Sequence, residues 1–311
     1  MKSILKATLT IVVALSVINA GGAFAQQKKY RLILPGTYQI SGKSKSHIQT
    51  MTDEISKALS SVIGAEIEPV YTPLYEEEYL KAAISQLVNK QVDFVGMSGD
   101  WYVRMSPQMK EKYPPLFGLL LDKKKDTEYC LYVRKSDGIT KAEQLRGKRT
   151  TTLVYKDIRY LLYEAGIDEP LKKFFKDVYF QAYLPTDMMN ALVDKRVDTF
   201  ANQKFQVDLA RGADDRYKDI HPIVCRDMIM NPFVIYRGDI DPTVISKIQS
   251  AARNWEKDKR FQNLKFFFMA VKGGIFDVKP KDFELTEKID KLMLDRGWEE
   301  ERKNFLRANQ K

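Results

Sequence analysis

The feature that most constrains this chain is an alternation of short apolar strands with amphipathic helices, run twice. A strand is expected at 30–34, followed by a loop, Pro35-Gly36-Thr37-Tyr38. A helix over 47–63 comes next, because Ile48, Met51, Ile55, Leu59 and Ile63 recur every three or four residues. A strand at 66–71, a helix at 75–89 and a buried strand at 92–96 complete a β-α-β-α-β series, which calls for a parallel sheet covered by helices. The second run has strands at 128–134, 148–154, 178–183 and 197–201. Thr140 caps a short helix at 141–145, and Gly166 stops one at 158–165. A helix at 186–193, a strand at 233–237 and helices at 242–255 and 283–295 follow.

Two α/β units result, the first interrupted by the second. Residues 26–124 with 235–311 form one lobe and 125–234 the other, each a mostly parallel sheet flanked by helices. The chain crosses between them near 120–128 and 225–234, a two-strand hinge. Ligands of open α/β sheets bind beyond the carboxyl ends of the strands, and in a two-lobed protein hinge closure can trap a ligand there.

The first 25 residues read as a cleavable export signal. Lys2 and Lys6 give a positive start, an apolar run extends from Ala7 through Ile18, and Ala23-Phe24-Ala25 is a small-x-small cleavage site. The apolar core is shorter than the ~20 residues a spanning helix needs. No Cys follows Ala25, which argues against a lipid anchor, and the expected location is periplasmic. The remaining 286 of 311 residues suit two lobes. The formal charge of +10 falls to about +8 once Lys2 and Lys6 are subtracted. Its lysines are dispersed, apart from Lys123-Lys124-Lys125, so a solvated basic surface is a better reading than an anion-steering patch. Nucleic-acid binding needs basic residues interleaved with stacking aromatics on one face, and for an exported chain nucleic acid is not an expected partner. Cys130 and Cys225 are the two cysteines. An oxidising compartment permits one disulfide between them, but residues 95 apart are not brought together by sequence alone.

Catalysis finds little support. His47 and His221 belong to no triad, and no G-x-S-x-G, H-E-x-x-H or phosphate-binding loop is present. No metal site or cofactor is expected. Glu76-Glu77-Glu78 is an acidic helix start favoured by the dipole.

Four stretches, in order, resemble the periplasmic solute-binding proteins of phosphonate/phosphite ABC transporters, of the type II binding-protein fold. Residues 87–96 (L-V-N-K-Q-V-D-F-V-G) lead into 98–102 (S-G-D-W-Y), where the family has a small-residue loop and an aromatic. Residues 132–139 (Y-V-R-K-S-D-G-I), running on to 145–149 (L-R-G-K-R), are similar to its V-R-x-D-S-G-I…L-K-G-K-R. Residues 162–167 (L-Y-E-A-G-I) and 191–198 (A-L-V-D-K-R-V-D) carry the rest of the likeness. The ligand motif departs from the family. Its Ser-Thr-Ser-Gly-like cluster is here Thr150-Thr151-Thr152-Leu153-Val154-Tyr155, its histidine is replaced by the stretch Tyr183-Leu184-Pro185-Thr186, and its acidic residue by Asn202-Gln203.

The candidate ligand-binding residues are Tyr38 and Ser98, Gly99, Asp100, Trp101 and Tyr102, which stand at strand ends, with Tyr75, Thr150, Thr151, Thr152, Tyr155, Asn202 and Asn231. Trp101 or Tyr102 offers a stacking wall, while strand threonines are also explained by β-propensity. The resemblance implies a monomer that captures a small anionic or zwitterionic ligand, phosphonate-like or another small organic, for an ABC permease. A ligand-sensing subunit for a membrane receptor kinase and an exported enzyme on the same fold remain the alternatives.

Overall fold

The computed structural model describes residues 28–34, 47–72, 76–152, 154–180, 185–270 and 272–309. The export signal at 1–25, Tyr38 and Tyr75 lie outside the described residues. β1 (Lys29–Ile33), α1 (His47–Ile63), β2 (Glu66–Val70), α2 (Glu76–Val88) and β3 (Phe94–Met97) build the first unit. β1 pairs in parallel with β2 on one side and β3 on the other. Each helix carries the chain back over the sheet, so successive strands run the same way. Two short helices, α3 (Gly99–Val103) and α4 (Pro107–Lys112), lead to β4 (Pro115–Leu120).

The chain then crosses into β5 (Asp126–Arg134) and winds the second unit. That unit comprises β6 (Arg149–Thr152), α5 (Tyr155–Glu164), α6 (Leu171–Phe174), β7 (Asp177–Phe180), α7 (Pro185–Val193), β8 (Thr199–Gln203), α8 (Lys204–Ala213) and β9 (Ile220–Met230). It returns through Asn231 and Pro232 to β10 (Phe233–Tyr236), α9 (Pro242–Arg253), α10 (Gln262–Ala270) and β11 (Gly274–Phe276). The last elements are α11 (Glu284–Asp295) and α12 (Trp298–Asn309).

Both sheets use one winding: β11-β4-β10-β3-β1-β2 and β7-β6-β8-β5-β9. In each, the first strand of the β-α-β core lies between the second and third. The sheets are mixed, where mostly parallel ones were expected. β10 runs antiparallel to β3 and β4, and β5 antiparallel to β8 and β9. Parallel pairing is confined to strands joined by helices; β5 and β10, which receive the chain from the other unit, enter from the opposite end.

The C-terminal helices correct the expected division, which placed all of 235–311 in the first lobe. Phe283, just before α11, stays in the first unit's core and stacks on Tyr102 with ring centres 4.9 Å apart. Ile289, Met293 and Trp298 instead bury their side chains among Leu131, Ile158, Leu161 and Phe174 of the second unit. The reason is local: α5 presents apolar side chains outward that need a cover. Trp298 supplies it, with the Arg159 guanidinium 4.6 Å over its ring. A third connection therefore joins the units, beside the expected two strands.

Asn231 lies at the return crossing. Its amide N–H donates to the Lys125 carbonyl and its side-chain Nδ2 to the Lys124 carbonyl, both at 2.8 Å, while its Oδ1 accepts from the Thr127 hydroxyl. The two crossings are thus tied to each other. Cys130 and Cys225 stand directly opposite in the β5–β9 register and are joined by a disulfide. Among the described residues no helix is long and apolar enough to cross a membrane.

Candidate functional site

The carboxyl ends of β3 and β6 meet across the two units. β3 is buried along its length, which carries Ser98 to the sheet edge. Gly99 follows because nothing larger fits: a Cβ there would stand 2.8 Å from the Met230 Cβ and 3.2 Å from the Thr286 hydroxyl. The same hydroxyl accepts the Met230 N–H at 2.9 Å, so α3 is seated against the end of β9 and the first turn of α11.

This seating fixes Asp100. One carboxylate oxygen accepts from the Ser98 hydroxyl at 2.5 Å and the other from the Lys156 ammonium at 2.5 Å. Asp100 lies on α3 of the first unit and Lys156 on α5 of the second, so the ion pair joins the two units. The side chains are 17% and 8% exposed. Burial pushes the Asp100 carboxyl up, but the Lys156 ammonium and the Ser98 hydroxyl outweigh it and hold the carboxyl below its ordinary value. Arg104, one turn on, ties the same helix to α11 through Asp290 at 2.6 Å and adds positive potential near Asp100.

Lys156 was not among the residues expected from sequence. Its signal was nonetheless present: a lysine in the first turn of a helix opposes the positive end of the helix dipole. Here it is the second residue of α5 and 6% exposed, a costly place for an ammonium without a partner.

The other candidates sort by what their polar atoms already touch. Tyr102 is a core residue, stacked on Phe283 and edge-on to Phe233 at 5.3 Å; burial pushes its hydroxyl up to about 12. Trp101 is partly buried, its ring 5.5 Å from that of Tyr79. Tyr79 in turn donates its hydroxyl to the Gly96 carbonyl at 2.8 Å and so steadies the end of β3. Tyr155 is turned toward α12. Its hydroxyl donates to Glu301 on α12, which also accepts the Leu171 N–H at 2.9 Å. Burial and the Glu301 carboxylate push that phenol well above its ordinary value. Asn231 has its side chain engaged in the crossing.

The threonines face both ways. Thr150 donates to the Thr199 carbonyl at 3.3 Å and Thr152 to the Val154 carbonyl at 3.0 Å, so both hydroxyls serve the backbone. Thr151 pairs with Phe200, and Asn202 lies two residues farther along β8, which puts both on the other face of the sheet. The Thr151 hydroxyl and the Asn202 Nδ2 are buried and have no partner among the described residues. α5 begins just after β6, with no side-chain cap from Val154 and with the buried Asp157 in its first turn. Ser98, Asp100, Trp101, Thr151 and Asn202 are thus the expected residues still suited to a solute, with Lys156 added.

Two depressions lie away from this pair. A groove lined by Val62, Lys247, Asn254 and Arg260 sits beside the C-terminus of α1, the opposite end of the sheet from the strand carboxyl ends. A small pocket between Leu121, Thr127, Glu128 and Lys204 adjoins the crossing. Glu128, Cys130 and Cys225 gather three metal-type donors, but the disulfide removes both thiolates from that role.

A family model described as the periplasmic substrate-binding protein of the phosphonate ABC transporter matches residues 39–265. No curated protein matches the sequence. Among solved structures, PhnD1 from Prochlorococcus marinus in complex with methylphosphonate is similar, with a TM-score of 0.64 at 16% identity over 86% of this chain and 99% of that one. A binding-protein component of an ABC phosphonate transporter from Pseudomonas aeruginosa gives 0.59 at 9% identity, over 90% and 100%. The periplasmic aliphatic sulphonate binding protein SsuA from Escherichia coli gives 0.55 at 11% identity, over 87% and 88%. At such identities these likenesses concern the fold.

Proposed function

Since the chain belongs to the periplasmic substrate-binding proteins of phosphonate-type ABC transporters, with the type II two-lobed fold, we propose that it captures a small anionic or zwitterionic solute between its lobes and delivers it to an ABC importer. The observation that carries this reading is the Asp100–Lys156 pair, which places opposite charges from both lobes at the carboxyl ends of β3 and β6. Charged groups held in a largely dry cleft recognise a charged solute better than the same groups do in water. Trp101 supplies an apolar wall beside them, and the Thr151 and Asn202 side chains supply uncommitted hydrogen-bonding atoms.

On this reading residues 1–25 direct export and are removed, and the mature chain works as a periplasmic monomer. Capture is selection of the closed arrangement by a solute that touches both lobes, without bond chemistry. A solute recovered unchanged after long incubation agrees with binding; turnover would move the assignment to an exported enzyme. Thermal-shift screening against phosphonates, phosphate, sulfonates, amino acids and neutral sugars tests the solute class. Saturation at ~100 times Kd contributes about 2.7 kcal/mol to stability, a readily visible shift. A clear shift with a sugar and none with any charged compound contradicts the proposal.

A further inference from the structure

The Asp100–Lys156 pair lies where a solute of this cleft has to sit, and that restricts the solute's own charges. A plain anion that recruits Lys156 takes the ammonium from Asp100. The carboxylate then keeps only the Ser98 hydroxyl and the field of Arg104, whose guanidinium is committed to Asp290 at 2.6 Å. It also faces the incoming negative charge. A plain cation that recruits Asp100 leaves Lys156 without a partner at 6% exposure. Removing one member of a buried ion pair is far more costly than replacing both. A molecule with one cationic and one anionic end replaces both members at once: its ammonium takes the two Asp100 oxygens, and its acidic group takes Lys156. We infer that this interlobe salt bridge holds the place of the solute's charges, and that the solute is a zwitterion bearing an ammonium and an acidic group. The inference rests on the capture reading above and narrows it.

Matched pairs of compounds differing only in the ammonium test it: ethylphosphonate against 2-aminoethylphosphonate, ethanesulfonate against taurine, and propionate against β-alanine. Isothermal titration of the purified protein with all six is expected to show at least one zwitterion binding about 100-fold more tightly than its plain partner, the tenfold-per-1.4-kcal/mol equivalent of a broken buried pair. In Asp100→Asn the ratio is expected to collapse to about 3-fold, as the grip on the ammonium weakens and the plain anion no longer meets a carboxylate. The wild-type comparison decides even where that variant folds poorly. A plain anion that binds wild type as tightly as its aminated partner overturns the zwitterion inference and leaves capture of a charged solute standing. So does an Asp100→Asn protein that retains the full ratio. Six compounds without measurable heat overturn both readings together.

Discussion

Replacing Trp298 by alanine tests whether the C-terminal helices belong to the second unit. The indole is 1% exposed and lies among side chains of that unit. Burying an aromatic of this size removes roughly 200 Å² from water, worth about 5 kcal/mol at ~25 cal/mol/Å². Large-to-small replacements of this kind cost ~3–5 kcal/mol, and the Arg159 contact over the ring adds up to ~1 kcal/mol. We expect a loss of about 4 kcal/mol, which at ~2–4 °C per kcal/mol lowers the second unit's transition by about 8–16 °C. The sequence holds three tryptophans, and the two that remain, Trp101 and Trp255, lie in the first unit. Their fluorescence therefore follows the first unit while far-UV circular dichroism follows both. The expected result is an early dichroism transition that the fluorescence does not share. A midpoint unchanged within ~0.5 kcal/mol, typical of surface substitutions, refutes the assignment of these helices.

Three further outcomes are expected. Cys130→Ser with Cys225→Ser, or full reduction, opens a loop with 95 residues of sequence separation and costs about 4 kcal/mol, read as a fall in the urea midpoint. Asn231→Ala unties the two crossings, whose side-chain bonds run to Lys124 and Thr127, and costs ~1–3 kcal/mol in the same assay; a loss of affinity with stability intact would return Asn231 to the solute site. Burial acts to raise the Asp198 carboxyl, but its hydrogen bonds from Arg149, with the charge of Arg134 nearby, hold it below its ordinary value. Its contribution is therefore present above that ordinary value of 3.8 and lost as pH falls through the depressed folded value. Asp198→Asn should be less stable than wild type at pH 7, with the gap closing as pH falls through the depressed folded value, below 3.8; a gap that stays constant as pH falls contradicts this.

Much of the fold was legible in the chain because it is written in local periodicity. The helix expected at 47–63 is α1, and the strands at 66–71 and 148–154 contain β2 and β6. What the sequence concealed depends on contacts between distant segments. Cys130 meets Cys225 only through the register of β5 and β9. Tyr155 follows a strand end, as a solute contact should, yet its hydroxyl is taken by Glu301, which is 146 residues away. Asn231 reads as a polar cleft residue, but the crossing backbone uses its side chain first. The place of Asp100 just after β3 was legible, whereas its pairing with Lys156 arises only because the two units bring distant segments together.

Hydrogen exchange tests the central claim most directly, comparing the free protein with the protein saturated by whichever solute the thermal screen identifies. Capture between the lobes predicts added protection in two places together: residues 98–104 after β3, and residues 151–160 from the end of β6 into α5. Protection confined to one lobe, or to the groove between Val62 and Lys247, contradicts it.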